Sequence, residues 1–407
     1  MKNRNDNQKG KLSRRDFIKT ATLGTAAFTL PRVSFGASKR GEKMKELLVY
    51  VGTYTSGESR SEGIYVYKLN LENGALSHFH TVKNVIDPSY LEISEDRKNL
   101  YAVNETEEYE GKKSGAVSAF AIDQKTGDLR FLNKLASLGG APCYVSVSDN
   151  GKFVLVANYV GGNVAVFPVE TNGNLGASVD LEQHSGSGPN KDRQEKAHAH
   201  SIVLDEKNRY AFSGDLGIDK VLIYRFDAQT GKLEANPAQN YYQTKAGAGP
   251  RHITFHPNEK FAFLICELAS TVSSLAYDKK KGLLTKIQTV STLPADFSGE
   301  NTGAEIHVSP SGKFLYGSNR GHDSIVVYKI DEKTGKLDFV EHTSTQGKTP
   351  RDFAIDPTGR FLLAANQNSA SVVVFRIDEK TGKLAPTGNT AEISMPVCLK
   401  LIPTFSG

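Results

Sequence analysis

TPRDFAIDPTGRFLLAANQNSASVVVFRIDEKTGKL, residues 349–384, is the stretch that decides the fold. It opens with an alternating strand from Pro350, turns through Asp-Pro-Thr-Gly, and returns as an apolar strand from Phe361 that ends on Asn366. A second apolar strand follows and closes on an acidic-x-x-Thr-Gly-x-Leu turn, Asp378 to Leu384. The same DEKTGKL stands letter for letter at Asp331 to Leu337, with looser copies DQKTGDL from Asp123 and DAQTGKL from Asp227. Seven such units follow one another at a spacing of roughly fifty residues. Self-similarity at this period predicts a β-propeller, one small antiparallel sheet per unit.

Two neighbouring columns of the repeat behave differently. The strand-ending column reads Thr53, Asn104, Asn158, Asp215, Cys266, Asn319, Asn366. The column after it reads Tyr54, Glu105, Tyr159, Leu216, Glu267, Arg320, Gln367. The first is nearly uniform and reads as scaffold. The second varies at an equivalent address and is where chemistry is sought.

Six units begin with an opening strand: PSYLEI from Pro88, PCYVSV from Pro142, AHSIVL from Ala199, PRHITF from Pro250, GAEIHV from Gly303 and PRDFAI from Pro350. The first unit, beginning LLVYVGTY at Leu47, lacks one, and MPVCLKLI (Met395 to Ile402) has the missing form. The expected fold is therefore an all-β, seven-bladed propeller whose C-terminal strand completes the N-terminal blade and removes the open edges. Period-two alternation puts Ile253 with Phe255, and Phe353 with Ile355, on faces that pack between blades.

Bulk properties agree with one ring. The 407 residues contain 37 Gly, three Cys and no Trp, with an apolar fraction of 38%. Cys143, Cys266 and Cys398 fall in the third, fifth and first blades, so three free buried thiols are expected. The net charge of +5 comes from the leader, where eight Lys/Arg stand against two Asp up to Gly36, leaving the remainder near −1. Nucleic acid is thus not an expected partner.

The leader itself reads S-R-R-D-F-I-K (Ser13 to Lys19), then a mild apolar stretch from Ala21 to Leu30 and small residues before Ala37. That stretch is about half the roughly twenty residues needed to cross a bilayer. Residues 1–36 are read as a twin-arginine-type export signal, residues 37–46 as a linker, and residues 47–407 as the propeller. The expectation is a periplasmic protein, free of the membrane after processing and monomeric.

Topology then gathers distant residues. The start of an opening strand and the end of its returning neighbour lie at the same mouth of the central channel. His198, His200, Arg251, His252, Arg351 and Asp352 are at starts; Glu105, Tyr159, Glu267, Arg320 and Gln367 are at or just past ends. Arginine, imidazole and carboxylate at one concave opening define a small-molecule site. Arg251 and Arg320 suit a carboxylate, a phosphate or a developing oxyanion, with His198 and Arg351 as further binding groups. Either His200 or Glu267 can serve as general acid–base. No G-x-S-x-G nucleophile motif occurs.

Residues 249–271, 304–325 and 349–375 resemble the seven-bladed lactonase propeller family, which includes propeller-type bacterial 6-phosphogluconolactonases and the fungal carboxymuconate lactonizing enzyme. The resemblance covers nearly the whole chain after the leader. It implies a lactonase acting on a small, anionic lactone of the sugar type, with a muconate-type lactonizing reaction or a non-catalytic ligand-binding propeller as the other readings. It places the catalytic and binding groups of that family at His200, Arg251, Glu267 and Arg320. Cys266 stands where a family member has Asn. An export signal conflicts with a phosphorylated cytosolic intermediate as substrate. Neither cofactor nor metal is assigned; zinc on His198 and His200, and calcium on the Asn column, are the alternatives.

Overall fold

The computed structural model describes residues 44–405, so the leader and most of the linker lie outside the described residues. Seven antiparallel sheets, each of four or five strands, follow one another along the chain. Blade 5 is representative, with strands Pro250–Phe255, Phe261–Cys266, Thr271–Asp278 and Leu283–Ser291 ordered from the channel outward. Blade 4 carries a fifth strand, Tyr241–Gln243, on its third. Among the described residues no helix is long and apolar enough to cross a membrane.

Ring closure follows the expected route. Pro396–Pro403 pairs antiparallel with Glu46–Thr53, in a register that runs from Leu47↔Pro403 to Thr53↔Pro396. Blade 1 is thus built from both ends of the propeller chain. Two opening strands are shorter than their sequences suggest. In blade 2 pairing begins only at Leu91, and in blade 4 it is reduced to Val203–Leu204 plus an isolated bridge between Ala199 and Asp215. The Asp215 carboxylate accepts hydrogen bonds from His198 N (2.8 Å) and Gly217 N (3.0 Å). Side chain thereby replaces backbone as the partner for part of this strand.

The two repeated motifs turn out to be partners. The glycine of the turn between the third and fourth strands presses against a side chain at or near the start of the second strand of the preceding blade. A Cβ on Gly335 would fall 2.5 Å from Phe261, on Gly382 2.4 Å from Phe314, on Gly231 2.5 Å from Phe153, and on Gly282 2.4 Å from Tyr210. The contact crosses the ring closure too, where Gly74 of blade 1 meets Phe361 of blade 7. These glycines also have positive φ, +72° at Gly335, so both conformation and space exclude a side chain. The turn aspartate holds the loop: Asp331 Oδ1 accepts from Lys333 N at 2.8 Å and Thr334 N at 3.2 Å.

The Asn column is a second clamp. Asn104, Asn158, Asn319 and Asn366 each donate from Nδ2 to a carbonyl just past the outermost strand of the previous blade: Ile86, Ser137, Thr292 and Thr345 respectively. Asn104 Oδ1 and Asn319 Oδ1 also accept, from Ser118 Oγ at 2.6 Å and Thr292 Oγ1 at 2.7 Å, whereas Asn158 Oδ1 and Asn366 Oδ1 are buried with no partner among the described residues. Between blades the faces are apolar. Phe314, Tyr316 and Val327 of blade 6 pack on Phe353, Leu362 and Phe375 of blade 7, and Ile253 packs with Phe212 and Ile223 of blade 4. Phe353 and Phe375 are fully buried; truncating either to Ala would cost about 3–5 kcal/mol. Cys143, Cys266 and Cys398 are free and buried, as the blade assignment requires.

Candidate functional site

A β-bulge sits near the mouth end of most innermost strands. The register shifts between Pro142 and Tyr144, Pro250 and His252, Gly303 and Ile306, and Pro350 and Asp352. In a regular strand consecutive side chains point to opposite faces; an extra residue breaks that rule and re-aims one of them. The consecutive Arg251 and His252 are accordingly both buried around the channel: Arg251 Nη1 donates to Ala304 O at 2.8 Å, and His252 Nδ1 lies 2.9 Å from Glu305 Oε2.

Glu267 is the centre of the site. It follows the second strand of blade 5, anchored by its N–H on Gly249 O at 2.7 Å, and its side chain is 3% exposed. Its Oε2 lies 3.1 Å from Arg251 Nε, 2.9 Å from Arg320 Nη2 and 3.8 Å from His200 Nε2. Its Oε1 accepts from Arg193 Nη2 at 2.6 Å. Burial pushes its pKa up, but the guanidiniums of Arg320, Arg251 and Arg193 outweigh that and lower it to about 2.

His200 is buried beside this cluster, with Nδ1 3.6 Å from Cys143 Sγ and its ring edge-on to Tyr159 and His252. Burial, then the charges of Arg251, His252 and Arg351, hold its pKa well below the usual histidine value, so its imidazole is neutral. Arg320 closes the second strand of blade 6 and donates from Nη2 to Gly303 O at 3.3 Å. Its Nε is buried and has no partner among the described residues.

Across the mouth Arg351 Nη2 lies 3.9 Å from Glu105 Oε2 and its guanidinium 5.5 Å from the centre of the Tyr54 ring. Tyr54 Oη and Ser89 Oγ both donate to Glu105 Oε2, at 2.9 and 2.5 Å. Glu105 and Glu267 occupy the same repeat column, so the ring carries two arginine–glutamate groups at one level. His198 is placed differently from the others. It stacks on Tyr159, and its ring nitrogens face Tyr159 O at 3.0 Å and Glu195 at 3.1 Å. With both nitrogens occupied, it does not form a zinc pair with His200.

Arg193 is the residue that column-by-column reading misses. It lies in the insertion SGSGPNKDRQEK between blades 3 and 4, outside every repeat address. The available signal is a basic cluster within a Gly/Ser/Pro loop that interrupts the period. Deeper in the channel Glu305, His307 and Asp352 place their ligand-type atoms within 4.8 Å of one another. Burial, then the charge of Glu305, pushes the Asp352 carboxyl well up. It accepts from Leu399 N, and Lys400 nearby pairs with Glu92 at 2.9 Å.

A seven-bladed ring with arginine, imidazole and carboxylate gathered where its strands begin and end is the architecture of a propeller enzyme. The chain belongs to the seven-bladed β-propeller lactonase family, whose sequence model matches residues 48–401, and it is a lactonase. It is 42% identical over 310 residues to a 6-phosphogluconolactonase of Bacillus subtilis (strain 168), covering 76% of this chain and 85% of that protein. A putative 6-phosphogluconolactonase from Bacteroides fragilis superposes with TM-score 0.82 at 36% identity, covering 89% of this chain and all of that one. The periplasmic gluconolactonase of Pseudomonas aeruginosa gives TM-score 0.82 at 35% identity, covering 88% of this chain and 99% of that one.

Proposed function

We propose that the protein hydrolyses a sugar-type lactone, an aldonolactone or a 6-phosphogluconolactone-like ester, by attack of water at the channel mouth. The observation that carries this reading is the unpartnered Arg320 Nε, a buried donor on a guanidinium already anchored at Glu267 and Gly303 O. A buried donor left open costs on the order of 1–3 kcal/mol. A carbonyl oxygen gaining negative charge in the transition state is the acceptor such a preset donor suits.

His200 is the base in this reading. Its neutral imidazole takes a proton as the water oxygen bonds to the carbonyl carbon. Glu267 binds protons too weakly for that task. It holds Arg251 and Arg320 in place and, 3.8 Å from Nε2, stabilises the imidazolium as it forms. The tetrahedral intermediate then collapses: the ring C–O bond breaks, and the imidazolium returns its proton to the departing oxygen. Lactone and water become one hydroxy acid.

The B. subtilis relative's name favours a phosphorylated lactone. The P. aeruginosa neighbour, named a periplasmic gluconolactonase, favours export and an unphosphorylated one. We assign residues 1–36 as the export signal and the ring as a monomer that closes on itself. The test is opening of glucono-1,5-lactone and its 6-phosphate by the purified protein and by His200→Ala. Wild-type rates at the buffer background on both would end the reading. For export, Arg14→Lys with Arg15→Lys should move the protein from the periplasmic fraction to the cytoplasm.

A further inference from the structure

The insertion between blades 3 and 4 brings to the mouth a group that the strand framework does not supply. We propose that Arg193 is a specificity-determining residue that binds a second anionic group on the substrate, a phosphate or carboxylate set apart from the reacting carbonyl. This rests on the lactone-hydrolysis reading above and adds which lactones the site prefers.

The first support is how the guanidinium is used. Both of its hydrogen bonds come from Nη2, to Tyr159 Oη at 3.2 Å and to Glu267 Oε1 at 2.6 Å. Nε and Nη1 have no partner among the described residues, and the side chain is 40% exposed. One corner of the planar fork fixes its position while the rest remains open for bidentate contact with an oxyanion.

The second support is rigidity. Gln194, fully buried, donates from Nε2 to Leu216 O and Asp219 Oδ1, both at 2.8 Å, and accepts from Asn190 N at 3.2 Å. Asn190 Oδ1 in turn accepts from Arg193 N at 3.2 Å. The loop presents Arg193 in a set place, so little order is lost when a ligand arrives.

The third support is charge. Four guanidiniums (Arg193, Arg251, Arg320 and Arg351) stand against the two carboxylates Glu267 and Glu105. Glu195, also on the insertion, faces His198. The four guanidiniums exceed the two carboxylates they pair with by two, and the oxyanion of the reaction answers one. Arg251 and Arg320 are buried against Glu267, whereas Arg193 reaches the rim, where a substituent remote from the ring carbonyl would lie.

The test compares glucono-1,5-lactone, its 6-phosphate and a carboxylate-bearing aldarolactone. For Arg193→Gln, the kcat/KM ratio of an anionic lactone to the neutral one should fall by about 10–100-fold relative to wild type, chiefly through KM. Arg193→Lys should restore part of the ratio, and the more affected anion identifies phosphate or carboxylate as the natural group. Calorimetric binding of gluconate and 6-phosphogluconate gives the same comparison without turnover, so it separates this inference from failure of the lactone reading. An equal loss on neutral and anionic compounds would overturn it, as would an unchanged ratio.

Discussion

Glu267 Oε2 lies 2.9 Å from Arg320 Nη2 and 3.1 Å from Arg251 Nε, so one carboxylate oxygen bridges two buried guanidiniums from adjacent blades. Removing its charge leaves both cations desolvated and unpaired, a change that typically costs about 3–5 kcal/mol. Glu267→Gln should therefore lower stability in urea as well as activity. An activity loss without a shift in midpoint would instead mark Glu267 as a proton carrier only.

Arg320 is assigned to the transition state rather than to ground-state binding. Arg320→Ala should lower kcat by about 10²–10³-fold with little change in KM, the signature of a lost oxyanion donor. Arg320→Lys, which keeps the charge but loses the Nε–H in its planar fork, should recover only part of the rate. A loss confined to KM would relocate Arg320 to substrate capture.

Acid should weaken the fold in two stages. Burial, partly offset by Glu305 and then reinforced by Arg251, lowers the His252 pKa from 6.5 to about 4. The unfolded chain thus binds this proton first, and stability declines as pH falls from 6.5 to about 4. Glu267, lowered from 4.5 to about 2, contributes stability that is present above 4.5 and lost as pH falls through about 2. Urea midpoints at pH 8, 6, 5 and 4 should fall, and His252→Gln should shrink the first stage, to which the depressed His200 contributes the rest. A flat profile from pH 7 to 4.5 would contradict the neutral, buried state of His252.

The same environment sets the rate profile. Because the His200 pKa is depressed, the acid limb of kcat/KM should lie below pH 6.5, where a free imidazole would already be half protonated. A limb at or above 6.5 would assign the base elsewhere.

The turn glycines are predicted to be stability positions remote from the site. Gly335→Ala combines a left-handed backbone with a 2.5 Å contact on Phe261 and should cost about 1–3 kcal/mol. Gly111→Ala, also of positive φ but with open space around it, should cost about 1 kcal/mol. The difference between the two isolates the inter-blade contact.

Local pattern alone determined the ring, its seven-unit count and its closure by Met395 to Ile402. Repeats encode scaffold because every blade solves the same packing problem, so the Thr-Gly turn and the Lys-Phe strand start recur as a matched pair. The residues gathered at the mouth were also legible, since Arg251, Glu267 and Arg320 occupy repeat addresses whose end of the channel follows from strand direction. Tertiary structure decided the rest. The bulge that turns Arg251 and His252 toward the channel together is a register event without a letter of its own. The commitment of His198 to Tyr159 and Glu195 depends on which nitrogens find partners in three dimensions. Arg193 reaches Glu267 from 74 residues away, across a loop that has no address in the repeat, and only the fold brings that loop over the opening.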